Sequence, residues 1–476
     1  MRVKAASCKL YDVVVVGNGP SGICLSYFLS GNWPYYNGAP VPDPLLNDRV
    51  EYCGTEVSLV EQDLEDLSDG LYDSRSRNPV SILFDKLHHP NADFMTMEPS
   101  VLTWKNEEAK SFKHLVLGNG PPGGTWHRMQ YSQYSLSLDY WLELPGYPIK
   151  TWQEEHKYTN ETSGCTCNLP KLVREAGVHE NRMLPNHVAQ YYSDYVKRMK
   201  LESNFMNNVT VTSVKRVSPN NPIWEISGTQ YNSSTGDYEP MQVFSRNVVL
   251  AVGGYSRPKM LHIPGEDLKF VQHHLPDLDF FLKEFKGKNI DPVVVVGCGL
   301  VALDAVIALM DAKVPVFHVF RRDAKDMKLI VNQLPSSYPD YLKLKPLMAG
   351  RASNEYYTPF PLSQVTEILS TGECVIEHVT GKSRLVTKTS QVIVQIGSKP
   401  NLSFLGEMQQ TLLEDSSKEI DIKENPLAVN LFTYETEETG LYAMGPLVGD
   451  NFVRFILGGA LGVLSGLAEK LKQDNN

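Results

Sequence analysis

The chain has 476 residues, of which 42% are hydrophobic and 21% charged, a composition typical of a soluble protein with two or three domains. Its formal net charge of -10 argues against nucleic-acid binding, because neutralising phosphates requires a basic surface. The seven scattered cysteines exclude a disulfide framework and favour a reducing, cytoplasmic environment, and their spacing predicts no metal site.

The first predicted element is a buried strand in YDVVVVGNGPSG, followed by a tight turn and a helix. Its glycines are Gly17, Gly19 and Gly22, and Pro20 and Ser21 lie between them. Glycines at this spacing let a pyrophosphate approach the backbone at the positive end of the helix. The sequence therefore predicts a dinucleotide site near the N-terminus.

An irregular insertion rich in proline and tyrosine is predicted over residues 32–46, and EVSLVEQD is predicted as the next strand. That strand would place Glu61 at its carboxyl end, where the carboxylate accepts hydrogen bonds from a ribose. Because Glu61 would repel a 2′-phosphate, it favours FAD over NADPH at this site. The alternative is a solvated acidic run, since Asp63 and Glu65 follow.

The stretch LVLGNGPPGGTWH, residues 115–127, is dense in glycine and proline. Gly124 would let a ligand approach the backbone, and Trp126 would pack against a ring system. Residues 158–181 are predicted as a surface loop, and residues 185–199 as an amphipathic helix with its tyrosines in the core. An antiparallel meander follows, whose last strand, QVFSRNVVLAVGG, returns to the first sheet.

A second glycine-rich turn follows another valine run in DPVVVVGCGLVA, with Gly297, Gly299 and Ala302 at its three positions. The next predicted strand, VPVFHVFRRD, ends at Arg321 and Arg322, where such a unit meets the adenosine ribose. Their guanidinium groups would bind a 2′-phosphate and therefore favour NADPH over NADH. The alternative is a solvated basic pair beside an aspartate. The strand QVIVQIGSKP closes this unit.

The C-terminal part is predicted as a strand GLYAMG, a loop PLVGDN and an apolar helix too short to span a membrane. Asp450, in that loop, would bind the ribityl chain and pyrimidine edge of a flavin together with the helix N-terminus. A Gly-Asp pair of this kind is otherwise a turn.

Two nucleotide sites on one chain indicate electron transfer between a flavin and a nicotinamide, so FAD and NADPH are the predicted cofactors. The predicted fold class is α/β, with two Rossmann-like dinucleotide-binding domains, the second inserted in the first, and a small antiparallel β meander. Residues 1–285 would form the first part of the FAD-binding domain and 401–476 its C-terminal part. Residues 286–400 would form the NADPH-binding domain.

Longer strings are similar to those of a known family. GNGPSG, GGTWH, NVVLAVGGYSRP, GCGLVA and AMGPLVGD resemble stretches of the class B flavin-containing monooxygenases. SGICLSYFLSG, SVLTWK, NQLP and LYAMGPLVGDNFVRF look closest to the oxidative stress-induced growth inhibitor family, and the likeness covers nearly the whole chain.

The resemblance implies a specific chemistry. NADPH would reduce FAD, a C4a-peroxyflavin would form with molecular oxygen, and one oxygen atom would pass to a soft nucleophile on a small molecule or a protein side chain. The resemblance also implies growth regulation, protein partners in late cell division (cytokinesis), and a midbody location.

The chain departs from the monooxygenase pattern after Pro264 and Gly265, where EDLKFVQHHLPDLDFF replaces the motif FxGxxxHxxxY/F. The flavin-site asparagine of that family has no clear counterpart in YSQYSLSLDYWLELPG. These departures leave open an NADPH oxidase that releases hydrogen peroxide and a flavin-bound regulator that acts through partners. A disulfide reductase would need a CxxxxC or CxxC pair, which the chain lacks. Because the cofactor carries the chemistry, no catalytic side chain is predicted.

Overall fold

The computed structural model describes residues 9–94, 96–129, 134–156, 182–218, 221–275, 282–283, 290–334 and 338–475. Its strands, numbered in chain order, are β1 (Leu10–Val16), β2 (Asn32–Tyr36), β3 (Leu102–Asn106), β4 (His114–Leu117), β5 (Phe205–Met206), β6 (Val209–Arg216), β7 (Trp224–Asn232), β8 (Asp237–Leu250), β9 (Arg257–Pro258), β10 (Val271–Gln272), β11 (Val293–Val296), β12 (Val316–Val319), β13 (Tyr357–Phe360), β14 (Ser363–Ile368), β15 (Glu373–His378), β16 (Arg384–Lys388), β17 (Gln391–Val394), β18 (Ser398–Lys399) and β19 (Leu441–Ala443). Its α-helices are α1 (Pro20–Leu29), α2 (Pro44–Cys53), α3 (Leu64–Ser68), α4 (Pro79–His88), α5 (Ile149–Glu155), α6 (Pro185–Arg198), α7 (Leu300–Asp311), α8 (Ile330–Gln333), α9 (Pro339–Leu342), α10 (Leu344–Met348), α11 (Met408–Thr411) and α12 (Val453–Asn475).

The first sheet has β1 near its centre. Its strand order is β5-β4-β1-β8-β7-β6, and β19 pairs with β8. The strands β5, β4, β1, β8 and β19 run parallel, whereas β6, β7 and β8 form the predicted antiparallel meander. Val13, Val14 and Val15 are 0% exposed, because both faces of β1 pack into the largest hydrophobic core. The prediction that the last meander strand returns to the first sheet is confirmed.

The second sheet is entirely parallel, with the order β10-β17-β11-β12-β13. Alternate valines of β11 face opposite sides of it. Val293 and Val295 pack with the buried residues of α7, whereas Val294 and Val296 pack with residues of the antiparallel sheet β14-β15-β16. Cover on both faces is what a parallel Rossmann-like sheet requires. The prediction of two such domains is confirmed.

The second unit is inserted within the first along the chain. Strands of the first sheet lie within residues 10–250 and 441–443, and those of the second within residues 271–394. The short strand β10 precedes the domain boundary predicted at residue 286. The domain boundaries themselves stay a prediction.

The C-terminal helix α12 packs against α1 and α4 on the first core. Gly458 lies where α12 crosses α4, and an added Cβ there would lie 2.4 Å from the Cα of Ser81. Within the described part of the chain, no helix combines the length and the apolar character needed to cross a membrane.

The insertion predicted at residues 32–46 is ordered structure instead. The strand β2 pairs antiparallel with β3, and α2 begins at Pro44. Trp33 and Tyr35 are each 3% exposed, so their packing onto the first core stabilises this two-stranded ribbon. Pro34 is compatible with it because a two-stranded ribbon consists of edge strands. The predicted surface loop at residues 158–181 lies outside the described residues.

The prediction of a strand in EVSLVEQD is also wrong. Leu59–Glu61 is a short 3₁₀ helix, which Ser58 caps by accepting a hydrogen bond from the Val60 N–H. Leu59 and Val60 are buried because they pack beneath α12 rather than in a sheet. The strands that lie beside β1 are β4 and β8, both much later in the chain.

Candidate dinucleotide-binding sites

The first glycine turn joins β1 to α1, and two close approaches determine its shape. Gly17 has a φ of +118°, and an added Cβ would lie 2.2 Å from the carbonyl oxygen of Ala251, just beyond β8. A Cβ on Gly22 would lie 2.0 Å from the carbonyl oxygen of Gly17. The N–H of Gly17 donates to the carbonyl of Leu117 at 2.8 Å, which ties the turn to β4. The protein therefore requires glycine at both positions.

The second turn, between β11 and α7, repeats this construction. Gly297 has a φ of +127°, and an added Cβ would lie 2.1 Å from the carbonyl oxygen of Gln395, just beyond β17. Its N–H donates to the carbonyl of Val319 on β12 at 3.0 Å. Ala302 is fully buried at the third position, so a methyl group is accommodated where the first turn needs a glycine.

The middle glycines, Gly19 and Gly299, are constrained differently. Their φ values of -72° and -79° suit any residue, and an added Cβ would meet no protein atom within 4 Å. Each residue occupies the N-cap position of the following helix but has no side chain to cap it, and no described side chain accepts a hydrogen bond from the first turn of α1 or α7. Open space in front of uncapped helix N-termini fits a pyrophosphate, which needs close backbone approach and free N–H donors.

The structure brings Gly124 and the first turn together. A Cβ on Gly124 would lie 3.0 Å from the Cα of Gly19, so the two backbones are in contact. Trp126 is half-buried two residues later, with its ring 6.4 Å from that of Tyr192 on α6. Gly124 therefore flanks the open space at Gly19, and Trp126 lies two residues further along the same segment.

Other predicted residues of this turn serve the packing of α1. Pro20 occupies the first helical position, where its missing N–H removes no helical hydrogen bond. Ser21 is 5% exposed and lies against the end of β19, where a Cβ on Gly445 would come within 2.6 Å of its Oγ. The chain that leaves β19 thus passes beside the first turn.

Glu61 does not occupy the ribose position that the sequence predicts. Its carboxylate lies 3.0 Å from Lys110 Nζ and 3.5 Å from Lys472 Nζ. Although partial burial opposes ionisation, these lysines hold the pKa of Glu61 below its usual range. The prediction is corrected because Glu61 follows no strand of the first sheet.

The register of the two sheets shows which residue of the first unit stands where Arg321 stands in the second. Val16 pairs with Leu117 on β4 just as Val296 pairs with Val319 on β12. Asn119 therefore stands two residues beyond its strand, as Arg321 does in the second unit. Its exposed amide provides hydrogen-bonding groups without charge. The signal in the sequence is the GNG that directly follows the apolar run HLVL.

Asp450 is enclosed by protein. It is 0% exposed, and its two oxygens accept hydrogen bonds from Ser76 Oγ at 2.6 Å and Ser81 Oγ at 2.8 Å. Burial raises the pKa of Asp450 to about 6, against the lowering effect of these serines. A ribityl contact would require this network to open, so Asp450 is better described as the link between α4 and the start of α12.

Arg321 and Arg322 lie just beyond β12 and are exposed. Arg322 donates to Asp326 Oδ2 at 2.8 Å, and this hydrogen bond raises the pKa of its guanidinium. Arg321 and Arg322 stand at the carboxyl end of β12, the strand beside β11, where the phosphate of a bound ribose would lie. Their binding of a 2′-phosphate stays a prediction.

His318, which the sequence analysis did not single out, supports the second turn from below. It is 0% exposed on β12, with Nε2 2.7 Å from the carbonyl of Gly297 and Nδ1 2.8 Å from the hydroxyl of Tyr357. Burial lowers the pKa of His318 to about 4, so the ring is neutral at pH 7. Because a carbonyl only accepts, Nε2 carries the proton and donates it to Gly297.

A seam of side chains joins the two cores. Tyr134 and Leu184, from the first part of the chain, pack into the core formed by β11 and α7. Arg182 is 4% exposed; its Nε donates to the carbonyl of Ser135 at 2.7 Å and its Nη1 lies 3.3 Å from Asp340 Oδ2. These contacts fix the position of the second unit relative to the first.

Comparisons with known proteins agree with this architecture. Residues 151–445 match the family model described as Pyridine nucleotide-disulphide oxidoreductase. The fold is similar to that of the bacillithiol disulfide reductase Bdr (YpdA) from Bacillus cereus, with a TM-score of 0.57 and 16% identity over 97% of this chain and 100% of that one. It is also similar to the ornithine hydroxylase (PvdA) from Pseudomonas aeruginosa, with a TM-score of 0.57 and 12% identity over 98% and 100%.

Relatives at higher identity cover nearly the whole chain. The chain is 41% identical to oxidative stress-induced growth inhibitor 2 from Homo sapiens, over 97% of this chain and 94% of that protein. It is 39% identical to oxidative stress-induced growth inhibitor 1 from Mus musculus, over 98% and 97%. The matched family and the fold support FAD and NADPH as the two cofactors. The chain therefore belongs to the oxidative stress-induced growth inhibitor family of flavoprotein oxidoreductases.

Proposed function

We propose that the first turn binds FAD and the second turn binds NADPH. The observation that carries this assignment is the open space at Gly19 and Gly299, each in front of an uncapped helix N-terminus. Trp126 beside the first turn offers an aromatic surface for a flavin dinucleotide. The exposed pair Arg321 and Arg322 beside the second turn suits the 2′-phosphate that distinguishes NADPH from NADH.

The reaction that we propose is NADPH-dependent monooxygenation of a soft nucleophile, sulfur or nitrogen, on a small molecule or a protein side chain. FAD held at the first turn would supply hydride acceptance from NADPH and the activation of molecular oxygen. The residues of this chain act by positioning. The N-termini of α1 and α7 bind the pyrophosphates, and the Arg182–Asp340 seam sets the separation of the two sites.

The proteins of similar fold catalyse different reactions, because one is a disulfide reductase and another is a hydroxylase. The described cysteines Cys24, Cys53, Cys298 and Cys374 are all free thiols, and none of them forms a CxxC or CxxxxC pair in the sequence. We therefore favour oxygen transfer over disulfide reduction.

We further propose, from the name that the relatives share, that the chain acts in growth regulation. The family resemblance extends this proposal to cytokinesis, protein partners and a midbody location. Imaging the tagged chain through cell division tests the location. Exclusion from the midbody in every dividing cell would contradict it.

The monooxygenase proposal is tested by the fate of NADPH. The flavin-loaded chain is given NADPH, oxygen and a panel of thioethers and amines, and oxygenated product and hydrogen peroxide are both measured per NADPH consumed. We expect most of the NADPH to appear as sulfoxide or N-oxide with at least one substrate. Near-complete conversion to peroxide would identify an oxidase. A folded, flavin-free Gly19→Ala variant that still restrained growth would identify a regulator instead.

A further inference from the structure

A cluster of nitrogen and oxygen ligands lies at the C-terminal end of α4, outside both nucleotide turns. Its members are His88, His89 and Glu143, and one ligand atom of each lies within 4.8 Å of the others. The two histidines are each 6% exposed, with ring centroids 4.4 Å apart. Glu143 is half-buried just after the 3₁₀ helix Asp139–Leu142, so it provides the side of the cluster nearest to solvent.

Three of the four histidine nitrogens in this cluster make no hydrogen bond with a described residue. Nε2 of His88 and both ring nitrogens of His89 are buried and make no hydrogen bond of normal geometry with a described residue, although Asp85 and the Tyr140 backbone lie near the His89 ring. Buried polar atoms in native proteins are nearly always paired, so such atoms need an explanation. Packing alone does not explain the two histidines, because an apolar residue would fill the same space without leaving unpaired nitrogen atoms buried.

The surroundings of both rings orient a lone pair toward the cluster. His88 Nδ1 lies 3.0 Å from Ser100 Oγ, an arrangement that leaves Nε2 as the free nitrogen. His89 Nδ1 lies 3.4 Å from Asp85 Oδ1, a carboxylate facing an imidazole. Outer hydrogen-bond partners of this kind, and carboxylates in particular, orient histidines that bind metal ions.

We propose that His88, His89 and Glu143 bind a divalent transition-metal cation of the zinc class. Two imidazoles and a carboxylate form a donor set that Zn²⁺ uses, whereas Mg²⁺ and Ca²⁺ prefer oxygen ligands alone. Zinc bonds of about 2 Å would draw the three ligand atoms closer together than they lie here. The site takes no part in the nucleotide binding proposed above, so the two proposals are independent.

The charges around the cluster also favour a cation. Arg454 is 2% exposed, and its Nη2 donates to Asp85 at 2.6 Å and to Asp93 at 2.7 Å. The guanidinium and carboxyl groups in and around the cluster are those of Arg75, Arg454, Asp73, Asp85, Asp93, Asp139 and Glu143. Carboxyl groups therefore outnumber guanidinium groups around the cluster, and burial raises the pKa of both Asp85 and Glu143 to about 7.

The test uses the tag-free full-length chain, stripped with a chelator and titrated with Zn²⁺ alone by calorimetry, with metal content measured by mass spectrometry. We expect one Zn²⁺ per chain and an upward shift of Tm on binding. The variants His88→Gln, His89→Gln and Glu143→Gln should each weaken binding about tenfold or more. His378→Gln, at a half-buried histidine outside the cluster, should bind as the wild type does.

The absence of saturable Zn²⁺ binding to the folded wild-type chain would overturn the proposal, as would unchanged affinity in Glu143→Gln. A buried histidine variant that fails to fold does not weaken the test, since Glu143 is half-buried. X-ray absorption of the wild-type complex gives an independent reading. We expect two imidazoles and oxygen around the metal, and a shell containing sulfur would contradict the assignment.

Discussion

Gly17 and Gly297 are required by the protein itself, because each has a positive φ and leaves no room for a Cβ. Gly19 and Gly299 differ, since the protein would accommodate a methyl group at either position. A ligand that approaches the backbone explains the glycine there. The middle glycine therefore separates nucleotide binding from folding, and alanine at that position is the substitution that tests binding alone.

His318 predicts a pH dependence of stability. Its pKa is about 4 in the folded protein because of burial, against about 6.5 in an unfolded chain. Below pH 6.5 the unfolded chain takes up a proton that the folded protein excludes, so the contribution present above pH 6.5 is lost as the pH falls toward 4. This loss amounts to about 3 kcal/mol.

The measurement is the urea midpoint of unfolding between pH 4.5 and pH 7.5. His318→Gln should show a smaller fall than the wild type on acidification, because glutamine takes up no proton. His378→Gln, which alters a histidine that is only half-buried at the end of β15, is the control and should follow the wild type. A fall as large in His318→Gln as in the wild type would contradict the buried neutral ring.

At the scale of single residues, the sequence predicts what local spacing determines and misses what distant contacts determine. Gly22 follows from spacing, because its Cβ would meet the Gly17 carbonyl within the same turn, and the positive φ of Gly17 is a property of that turn too. Asp450 does not, because Ser81, which binds it, lies 369 residues away in the chain. Glu61 is predicted at the wrong place because a long insertion separates β1 from β4 and contains a second strand-like apolar run.

Among the helices, α4 and α12 pack most closely at Gly458. An added Cβ there would lie 2.4 Å from Ser81 Cα and 2.5 Å from the carbonyl oxygen of Val80. These are backbone atoms of α4, which cannot move aside as a side chain would. The same segment of α4 binds Asp450 through Ser81, so a displacement of the helix would disturb that network too.

We predict that Gly458→Ala lowers the free energy of unfolding by about 3 kcal/mol, because the two helices must separate. Gly459→Ala is the matched control on the same helix. Its nearest atoms, in the side chains of Met444 and Tyr434, would lie at 3.3 Å, and the gain in helix propensity of about 1 kcal/mol offsets this contact. Thermal unfolding of both variants checks the difference. Equal Tm values would show that α4 adjusts freely.

Element prediction succeeds where burial is continuous and fails where it depends on tertiary contacts. The valine runs of β1 and β11 predict central parallel strands, because both faces of each strand are covered. The sequence of β2 predicts a loop, because proline and tyrosine interrupt the alternation of apolar and polar residues. The segment is extended only because it pairs with β3. The sheet β14-β15-β16 has no counterpart among the predicted elements.

For the molecule as a whole, the Arg182–Asp340 pair determines how the two units meet. Both side chains are almost fully buried, at 4% and 6% exposure. Removing one partner leaves the other charge buried without compensation, whereas removing both avoids that penalty. The pair therefore supports a double-variant test of the seam.

We predict that Arg182→Met lowers stability by about 3 kcal/mol or more, and that Arg182→Met/Asp340→Leu recovers most of this loss. Thermal unfolding of the single and double variants gives the comparison. A double variant less stable than the Arg182→Met variant would show that the pair is not a coupled seam contact.

The same seam should affect electron transfer, provided that the proposed cofactors are bound as described. In Arg182→Met the flavin content should be unchanged, because the first turn lies elsewhere. Reduction of the flavin by NADPH should slow about tenfold, because the two sites are no longer held in register. Stopped-flow reduction without oxygen measures this rate. An unchanged rate in a variant with lowered stability would limit the seam to a structural role.

The central claim is that one chain holds a flavin at its first glycine turn and receives NADPH at its second. The most direct test is the visible spectrum of the purified chain before and after anaerobic NADPH, for the wild type, Gly19→Ala and Gly299→Ala. We expect a yellow wild type that bleaches, a folded Gly19→Ala variant without flavin, and a yellow Gly299→Ala variant that bleaches poorly. A folded wild-type chain that stays colourless when given FAD, or a Gly299→Ala variant that bleaches normally, would contradict the account.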